Sequence, residues 1–211
     1  MTAPEFFDRA PNLQIAYHRQ AGEGDGANLP GVVFLGGFRS DMTGTKAVFL
    51  EAWARERGRA FLRFDYSGHG ASDGRFEEGT IGQWAGDAEA VLEALTAGPQ
   101  ILVGSSMGGW IAFLLARARP ERVAGILGIA AAPDFTEDLM WARMTEETRS
   151  RLMTLGRIEE PSDYDPVPTP ITRELIADGR THLVLRSPLG VEGPVGLLHG
   201  TDDGDVPAER L

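Results

Sequence analysis

The stretch 101–108 reads Ile-Leu-Val-Gly-Ser-Ser-Met-Gly, an apolar run followed by a glycine- and serine-rich turn. Its first half, Ile101–Val103, is a short apolar run of the kind that forms a buried strand. Its second half, Gly104–Gly108, matches the pattern G-x-S-x-G and opens an apolar segment with helical character that runs to Pro120. Between a strand and a helix, the serine of this pattern sits in a tight turn with its hydroxyl exposed. The stretch therefore predicts a nucleophile at Ser106.

Two other interpretations of this turn stay open. Serine is favoured at helix N-caps, so the motif is also compatible with an ordinary Gly-rich turn from strand to helix. Ser105 is a second candidate nucleophile, although the spacing of Gly104 and Gly108 favours Ser106. In the favoured interpretation the two glycines keep the neighbouring backbone free of side-chain clashes, and the helix N-terminus adds a positive field.

An attacking serine needs N–H donors for the oxyanion that forms on the substrate. Proteins with this motif take one donor from the residue after the nucleophile and one from the loop after an earlier strand. Met107 supplies the first. Gly36 and Gly37 follow the buried run Val32–Leu35, and we assign the second donor to the amide of Phe38. Taken alone, the Gly-Gly pair is equally compatible with a simple turn.

The rest of the chain alternates short apolar runs with helical patterns, which is typical of β-α units around a parallel sheet. Most of the runs are continuously apolar and do not alternate apolar with polar residues, as expected for strands covered on both faces. Strands are predicted at 13–18, 32–35, 60–64, 101–103, 123–130 and 195–198, and helices at 45–57, from about 81 to 98 and from just after 106 to 120.

The interval from Pro133 to about Ser187 replaces a plain connection with short helical pieces and a Pro-rich break. Helical pieces are predicted at 135–144, 145–155 and 170–178. The interval is too long for a simple loop and too short to hold a core of its own. We therefore predict one domain over residues 1–211, with a small helical lid at about 134–186 above the carboxyl edge of the sheet.

Composition excludes several classes of function. The net charge of −11 disfavours binding to nucleic acid or anionic membranes, and Lys46 is the only lysine and lies outside any P-loop pattern. No apolar run approaches the length of a membrane span. The chain has no cysteine, which rules out disulfides and thiolate sites and leads us to expect a cytoplasmic location. We expect no metal or organic cofactor.

Four stretches carry a resemblance to a known group: FLGGFRSDMTGTKA at 34–47, RFDYSGHGASDG at 63–74, GSSMGGW at 104–110 and HGTDDGDVP at 199–207. They resemble the α/β-hydrolase superfamily and, within it, the palmitoyl-protein thioesterase-like hydrolases with a short helical lid. Ala130–Trp141 is similar to the lid entry of that group. The resemblance implies an α/β fold: a mostly parallel central sheet with helices on both faces and a small lid.

The resemblance also implies the acid of a catalytic triad. In the family pattern H-G-x-x-D-x-x-V-P the fifth position is the acid, which is Asp203 here. An acid after a late strand orients an imidazole and stabilises its protonated form. Asp134 is the second candidate, Asp202 and Asp205 are expected to face solvent, and His199 is expected to be structural.

The sequence departs from the family pattern at the histidine. The family places this residue after one further strand, beyond the acid, whereas all four histidines here precede Asp203 and the chain ends at Leu211: His18, His69, His182 and His199. His69 is a weak alternative base. We therefore expect a chain truncated before the last strand and helix, nearly inactive as it stands, with Val195–Leu198 as an exposed apolar edge.

These observations predict hydrolysis of a carboxylic ester or acyl thioester through a Ser106 acyl-enzyme. The candidate walls of an acyl pocket are Trp110, Leu139, Met140 and Trp141, although such residues often only pack a lid. One alternative is a serine peptidase on the same core, and another is a non-catalytic binding protein. Dehalogenases of this fold are disfavoured because they carry aspartate where Ser106 stands. The sequence does not predict the oligomeric state.

Overall fold

The computed structural model describes residues 3–161 and 166–207. Seven strands of the described residues form one sheet: β1 (Glu5–Ala10), β2 (Leu13–Gln20), β3 (Val32–Leu35), β4 (Phe61–Phe64), β5 (Gln100–Ser105), β6 (Val123–Ile129) and β9 (Val195–Leu198). Strands β7 (Arg157–Glu160) and β8 (Thr169–Thr172) form a separate hairpin. The order in the sheet is β1-β2-β4-β3-β5-β6-β9. β1 and β2 pair antiparallel, as do β2 and β4, and the remaining pairs are parallel. The predicted mostly parallel sheet is confirmed.

Three long helices provide the crossovers: α1 (Thr45–Glu56), α2 (Ile81–Leu95) and α3 (Met107–Ala118). Their ends follow the predicted signals. Thr80 caps α2 by accepting a hydrogen bond from the Gln83 amide at 3.2 Å, and Gly58 adopts φ +60° just after α1. Both devices satisfy backbone groups that a helix end leaves without intrahelical partners.

The sheet is covered on both faces, as predicted. The larger core lies between the sheet and helices α2 and α3, with Trp84, Trp110 and Ile111 fully buried. Helix α1 covers the opposite face, where Ala47 and Ala54 pack against residues of β3 and β4. Because β3, β5 and β6 are parallel neighbours, the loops that follow them meet at the carboxyl edge of the sheet.

The segment between β6 and β9, which we call the insertion, differs from its prediction in two ways. Its Pro-rich part is not only a break, because Arg157–Glu160 (β7) and Thr169–Thr172 (β8) pair as an antiparallel hairpin. The insertion also has a small hydrophobic cluster of its own, contrary to our expectation. That cluster comprises Met144, Leu152, Ile158, Ile171 and Ile176. The hairpin and the helices α4 (Glu146–Leu155) and α5 (Arg173–Gly179) enclose it.

The two edges of the sheet also differ from each other. The antiparallel edge strand β1 was not predicted, because Glu5, Asp8 and Arg9 break up its apolar pattern. At the other edge, β9 pairs with β6, and its residues Val195, Leu197 and Leu198 are exposed, as predicted. The expected end of the chain at Leu211 lies outside the described residues. Within the described part, none of the helices combines the length and the apolar character needed to cross a bilayer.

Candidate active site

Ser106 lies between the end of β5 and the first residue of α3, at φ +52° and ψ −117°. This conformation is costly for a residue with a side chain and persists only where the surroundings fix it. The end of β6 and the residues after it fix it here: the Ser106 amide donates to Ile129 O at 3.0 Å, and the Ala132 amide donates to Ser106 O at 3.1 Å. The tight turn predicted at Ser106 is present, and its role as a nucleophile stays a prediction.

Gly104 and Gly108 are glycines for steric reasons. A Cβ atom at Gly104 would lie 2.3 Å from the carbonyl oxygen of Gly108, and one at Gly108 would lie 2.1 Å from the carbonyl oxygen of Leu35. No side chain fits at such distances. The first turn of α3 therefore packs directly on the ends of β5 and β3, which is the role the motif predicts for these residues.

The loop after β3 covers the serine. A Cβ atom at Gly37 would lie 3.4 Å from the Cβ of Ser106, and the Ser40 hydroxyl closes the turn by donating to Gly37 O at 2.9 Å. Phe38 follows in the same loop, while Met107 is the first residue of α3 and its N–H has no intrahelical acceptor. The structure thus brings the two predicted donor segments together beside Ser106.

On one side, Ser106 borders a cavity of about 680 Å³, which we call the Asp203-side cavity. Its lining comprises Lys46, Ser105, Ser106, Ala130 and residues 200–206. Asp203 is partly buried, and its Oδ1 accepts hydrogen bonds from the amides of Asp205 (3.1 Å) and Val206 (2.9 Å). Asp202 and Asp205 are exposed, as expected. The predicted nucleophile and the predicted acid therefore face the same space.

Within the described residues, all four histidines lie outside the linings of the cavities beside Ser106. His199 is structural, as predicted, because its Nε2 donates to Val206 O at 2.6 Å. His69 is buried among Tyr66, Phe76 and Trp84, with its Nδ1 3.2 Å from Ser67 O. Burial lowers the pKa of His69 to about 4, so its imidazole is neutral at physiological pH. Its packing does not support a role as base.

Asp134, the second candidate acid, has a structural task instead. It is fully buried, and its carboxylate accepts hydrogen bonds from the amides of Val184 (2.8 Å) and Leu185 (2.9 Å). Arg186 lies 3.6 Å from the same carboxylate. Asp134 thus ties the start of the insertion to its end, and its oxygens are engaged away from Ser106.

On its other side, Ser106 borders a second cavity of about 690 Å³, the insertion-side cavity. Two of the predicted wall residues, Leu139 and Met140, line it. They belong to a π-helical segment, Thr136–Trp141. Several other apolar residues that the sequence analysis did not assign to the walls also line it, and they lie in three segments, after β3, β6 and β9: Phe38, Ala132, Phe135, Met144 and Val206.

The structure places the other two predicted wall residues elsewhere. Trp110 is fully buried in α3, packs edge-on against Phe135 and donates its indole N–H to His182 O at 3.1 Å. Trp141 lies between two guanidinium groups, with Arg149 at 5.1 Å and Arg180 at 4.5 Å from its ring. Both tryptophans therefore stabilise the fold around the cavity rather than line it.

Polar and charged side chains also line the insertion-side cavity. They are Arg39, Ser40, Arg143, Thr145, Thr148, Glu160, Thr169 and Asp205. Burial raises the pKa of Glu160, which favours its neutral form relative to an exposed glutamate. The sequence did not predict this group, because the fold brings its members together from the β3 loop, the helical part of the insertion, the hairpin strands and the segment after β9.

Known proteins share both the motifs and the fold. The family model described as Serine aminopeptidase, S33 matches residues 30–174. Palmitoyl-protein thioesterase ABHD10, mitochondrial, of Bos taurus is 39% identical over 207 residues, which are 98% of this chain and 66% of that protein. The chain therefore spans about two thirds of the length of this curated relative.

Two solved structures superpose closely on this one. Alpha/beta hydrolase domain-containing protein 10 from mouse has a TM-score of 0.87 at 38% identity, covering 99% of this chain and 82% of that one. A putative hydrolase from Agrobacterium vitis S4 has a TM-score of 0.91 at 42% identity, covering 100% and 82%. Both resemblances extend over the sheet, the elbow and the insertion.

These comparisons overturn one expectation and confirm another. The expected cytoplasmic location is contradicted, because the curated relative is named as a mitochondrial protein. The absence of cysteine is compatible with any reducing compartment, so composition could not distinguish the cytoplasm from another such compartment. The expected family is confirmed: with its seven-stranded sheet, its strained Ser106 elbow and its match over residues 30–174, the chain belongs to the α/β-hydrolases of the serine aminopeptidase S33 family.

Proposed function

We propose that this chain hydrolyses carboxylic esters or acyl thioesters through a covalent acyl-enzyme on Ser106. One observation carries the proposal: Ser106, in its strained turn, borders both a cavity that contains Asp203 and a cavity with apolar walls. The cavity that contains Asp203 suits proton transfer, and the cavity with apolar walls suits the binding of an acyl chain.

In the proposed reaction, the Ser106 hydroxyl attacks the acyl carbon while an imidazole in the Asp203-side cavity takes its proton. The amides of Phe38 and Met107 stabilise the oxyanion, and Asp203 orients the imidazolium. The imidazolium then returns the proton to the departing alcohol or thiol. Water attacks the acyl-enzyme in the same way, releasing the acid and restoring Ser106. The four histidines of the chain lie outside the lining of this cavity, so the imidazole of this step is not one of them.

The acyl group is proposed to lie in the insertion-side cavity. Its walls next to Ser106 include Phe38, Phe135, Leu139, Met140 and Val206. The insertion therefore acts as a lid that covers an apolar substrate. The name of the Bos taurus relative, a palmitoyl-protein thioesterase, supports a thioester of a fatty acid as one substrate.

A serine peptidase is the second candidate, because the description of the matching family names an aminopeptidase. An aminopeptidase must bind the charged amino group of its substrate. Apolar surface predominates in the lining of the insertion-side cavity, which favours an acyl chain, so we rank the peptidase below the esterase. In a peptidase, Glu160 and Asp205 of the same lining would pair with the ammonium group.

Turnover supported by added imidazole tests the proposal on the chain itself. Free imidazole is small enough for the Asp203-side cavity and supplies the missing base. We expect p-nitrophenyl esters and acyl thioesters to be cleaved in proportion to imidazole, faster than aminoacyl p-nitroanilides. Ser106→Ala should retain only the background rate of imidazole in solution. Faster cleavage of the anilides would favour the peptidase, and tight acyl binding without Ser106-dependent turnover would favour a binding protein.

A further inference from the structure

Arg39 connects two parts of the site that are far apart in sequence. It directly follows Phe38 in the loop that covers Ser106, and its Nη1 donates to three acceptors of the insertion hairpin. These are Val167 O at 3.1 Å, Pro168 O at 3.0 Å and Thr169 Oγ1 at 3.0 Å. The contacts cross almost 130 residues of sequence and lie at the rim of the insertion-side cavity.

The conformation of Arg39 depends on its surroundings. Its backbone adopts φ +58°, which is uncommon for a residue other than glycine. Its guanidinium lies 5.8 Å from the centre of the Phe76 ring, and this ring in turn packs edge-on against Phe38 at 5.0 Å. Such strained backbone persists when contacts fix it from several sides. The hairpin is therefore one of the supports of the loop that contains the Phe38 amide.

We propose that Arg39 is a positioning residue that couples the docking of the β7–β8 hairpin to the placement of the Phe38 amide as an oxyanion donor. With the hairpin docked, Arg39 holds the loop in its strained conformation and the Phe38 N–H is directed at the oxyanion. When the hairpin lifts, Arg39 loses three acceptors and the loop relaxes. The inference rests on the proposed function, since it concerns the same oxyanion hole.

The hairpin offers a matched control at its other end. Arg157 on β7 contacts Glu159 of the same strand and lies 3.8 Å from Glu77. Arg157→Ala removes these contacts and leaves the three Arg39 contacts in place. Arg39→Ala removes the coupling itself, and Arg39→Lys keeps the charge and part of the donor capacity.

Hydrogen exchange and kinetics together test the coupling. In Arg39→Ala we expect faster exchange in peptides covering both 36–40 and 157–172. With p-nitrophenyl acetate and imidazole, kcat should fall between roughly tenfold and 10²-fold, with KM nearly unchanged, because a displaced donor weakens only the transition state. Arg39→Lys should recover part of kcat. Arg157→Ala should raise exchange only at 157–160 and leave exchange at 36–40 and kcat unchanged, because the Arg39 contacts remain.

Two results would overturn the inference. One is an Arg39→Ala protein in which exchange at 36–40 and kcat both match the parent chain. The other is an Arg157→Ala protein that keeps the Arg39 contacts but loses as much kcat as Arg39→Ala, because the loss would then not depend on those contacts. If Ser106→Ala shows the same turnover as the parent, the proposed function fails, and the exchange data still decide whether Arg39 couples the two segments.

Discussion

A Cβ atom added at Gly37 would lie 3.4 Å from the Cβ of Ser106 and 3.5 Å from the carbonyl oxygen of Ser105. These are ordinary contact distances, so the backbone tolerates the added atom. The space it would fill, however, lies directly beside Ser106, where the acyl group of the proposed reaction would approach. A substitution at Gly37 can therefore slow the reaction at Ser106 without lowering the stability of the fold.

Gly37→Ala should reduce reaction at Ser106 more than it reduces stability. We expect the imidazole-supported rate to fall roughly tenfold or more, which corresponds to ~1.4 kcal/mol in the barrier, because the methyl group crowds the attack. The free energy of unfolding should change by less than about 0.5 kcal/mol. Gly190→Ala is the control, since a Cβ there meets nothing within 4 Å. Equal rates in both variants would show that the loop does not border the reacting atoms.

Gly108→Ala should affect stability instead. Its Cβ would lie 2.1 Å from Leu35 O, a backbone atom that cannot move without displacing β3. We expect a loss of about 3 kcal/mol or more in urea unfolding, or failure to fold. A loss below about 1 kcal/mol would mean that α3 does not pack on β3 as described.

Matched Asp→Asn substitutions should distinguish the two candidate acids, Asp134 and Asp203, by their effects on stability and on turnover. In Asp134→Asn, one of the amides of Val184 and Leu185 loses its acceptor in a buried place, which costs about 1–3 kcal/mol of stability. In Asp203→Asn, the side-chain oxygen can still accept from both amides that Oδ1 now binds, so stability should stay within about 0.5 kcal/mol.

Turnover should rank the two variants in the opposite order. The imidazole-supported rate of Asp203→Asn should fall at least roughly tenfold, since a neutral amide does not stabilise the imidazolium. The folded fraction of Asp134→Asn should retain most of its rate. If Asp134→Asn lost the rate and Asp203→Asn kept it, the assignment of the acid would be reversed.

His69 should make stability depend on pH. Its pKa falls from 6.5 in the unfolded chain to about 4 in the fold, so between these values the unfolded chain binds more protons. Its contribution is therefore complete above pH 6.5 and is lost as the pH falls towards 4, by up to about 3 kcal/mol. Burial raises the pKa of Asp65 and Asp87, which acts in the opposite sense: stability is lost as the pH rises through their folded pKa values.

The difference between the parent chain and His69→Phe isolates the histidine from the two aspartates. Phenylalanine keeps an aromatic ring among Tyr66, Phe76 and Trp84 but does not titrate. Urea unfolding at pH 7, 6, 5 and 4 should show a smaller decline for the variant. Parallel declines in the two proteins would contradict the lowered pKa.

The parts of the fold that follow local rules could be predicted from the sequence. Gly104 and Gly108 flank Ser106 because the turn leaves no room for a Cβ atom at either position. A steric requirement of this kind appears in the sequence as a short motif. Thr80 and Gly58 mark helix ends through hydrogen bonding and backbone conformation, which are also local. The elbow, the helices and the parallel strands were accordingly placed within a few residues.

The parts that depend on tertiary contacts could not be predicted. Trp110 lies one helical turn after Ser106. Because α3 is buried on almost all sides, the position of a residue along this helix does not predict whether it lines a cavity. Trp141 ends a π-helical segment, which turns side chains away from the phase of an ordinary helix. Asp134 follows a strand in the sequence, as a catalytic acid of this fold would. Its hydrogen-bond partners, Val184 and Leu185, are distant in sequence and are brought to it only by the fold.

The most direct test of the central claim is to identify the residue that reacts covalently. The chain is treated with a fluorophosphonate in the presence of imidazole, and the modified peptide is located by mass spectrometry in the parent, Ser105→Ala and Ser106→Ala proteins. We predict a single modification on Ser106 in the parent and in Ser105→Ala, and none at this site in Ser106→Ala. Labelling that persists unchanged in Ser106→Ala, or that falls on Ser105 in the parent, would contradict the account.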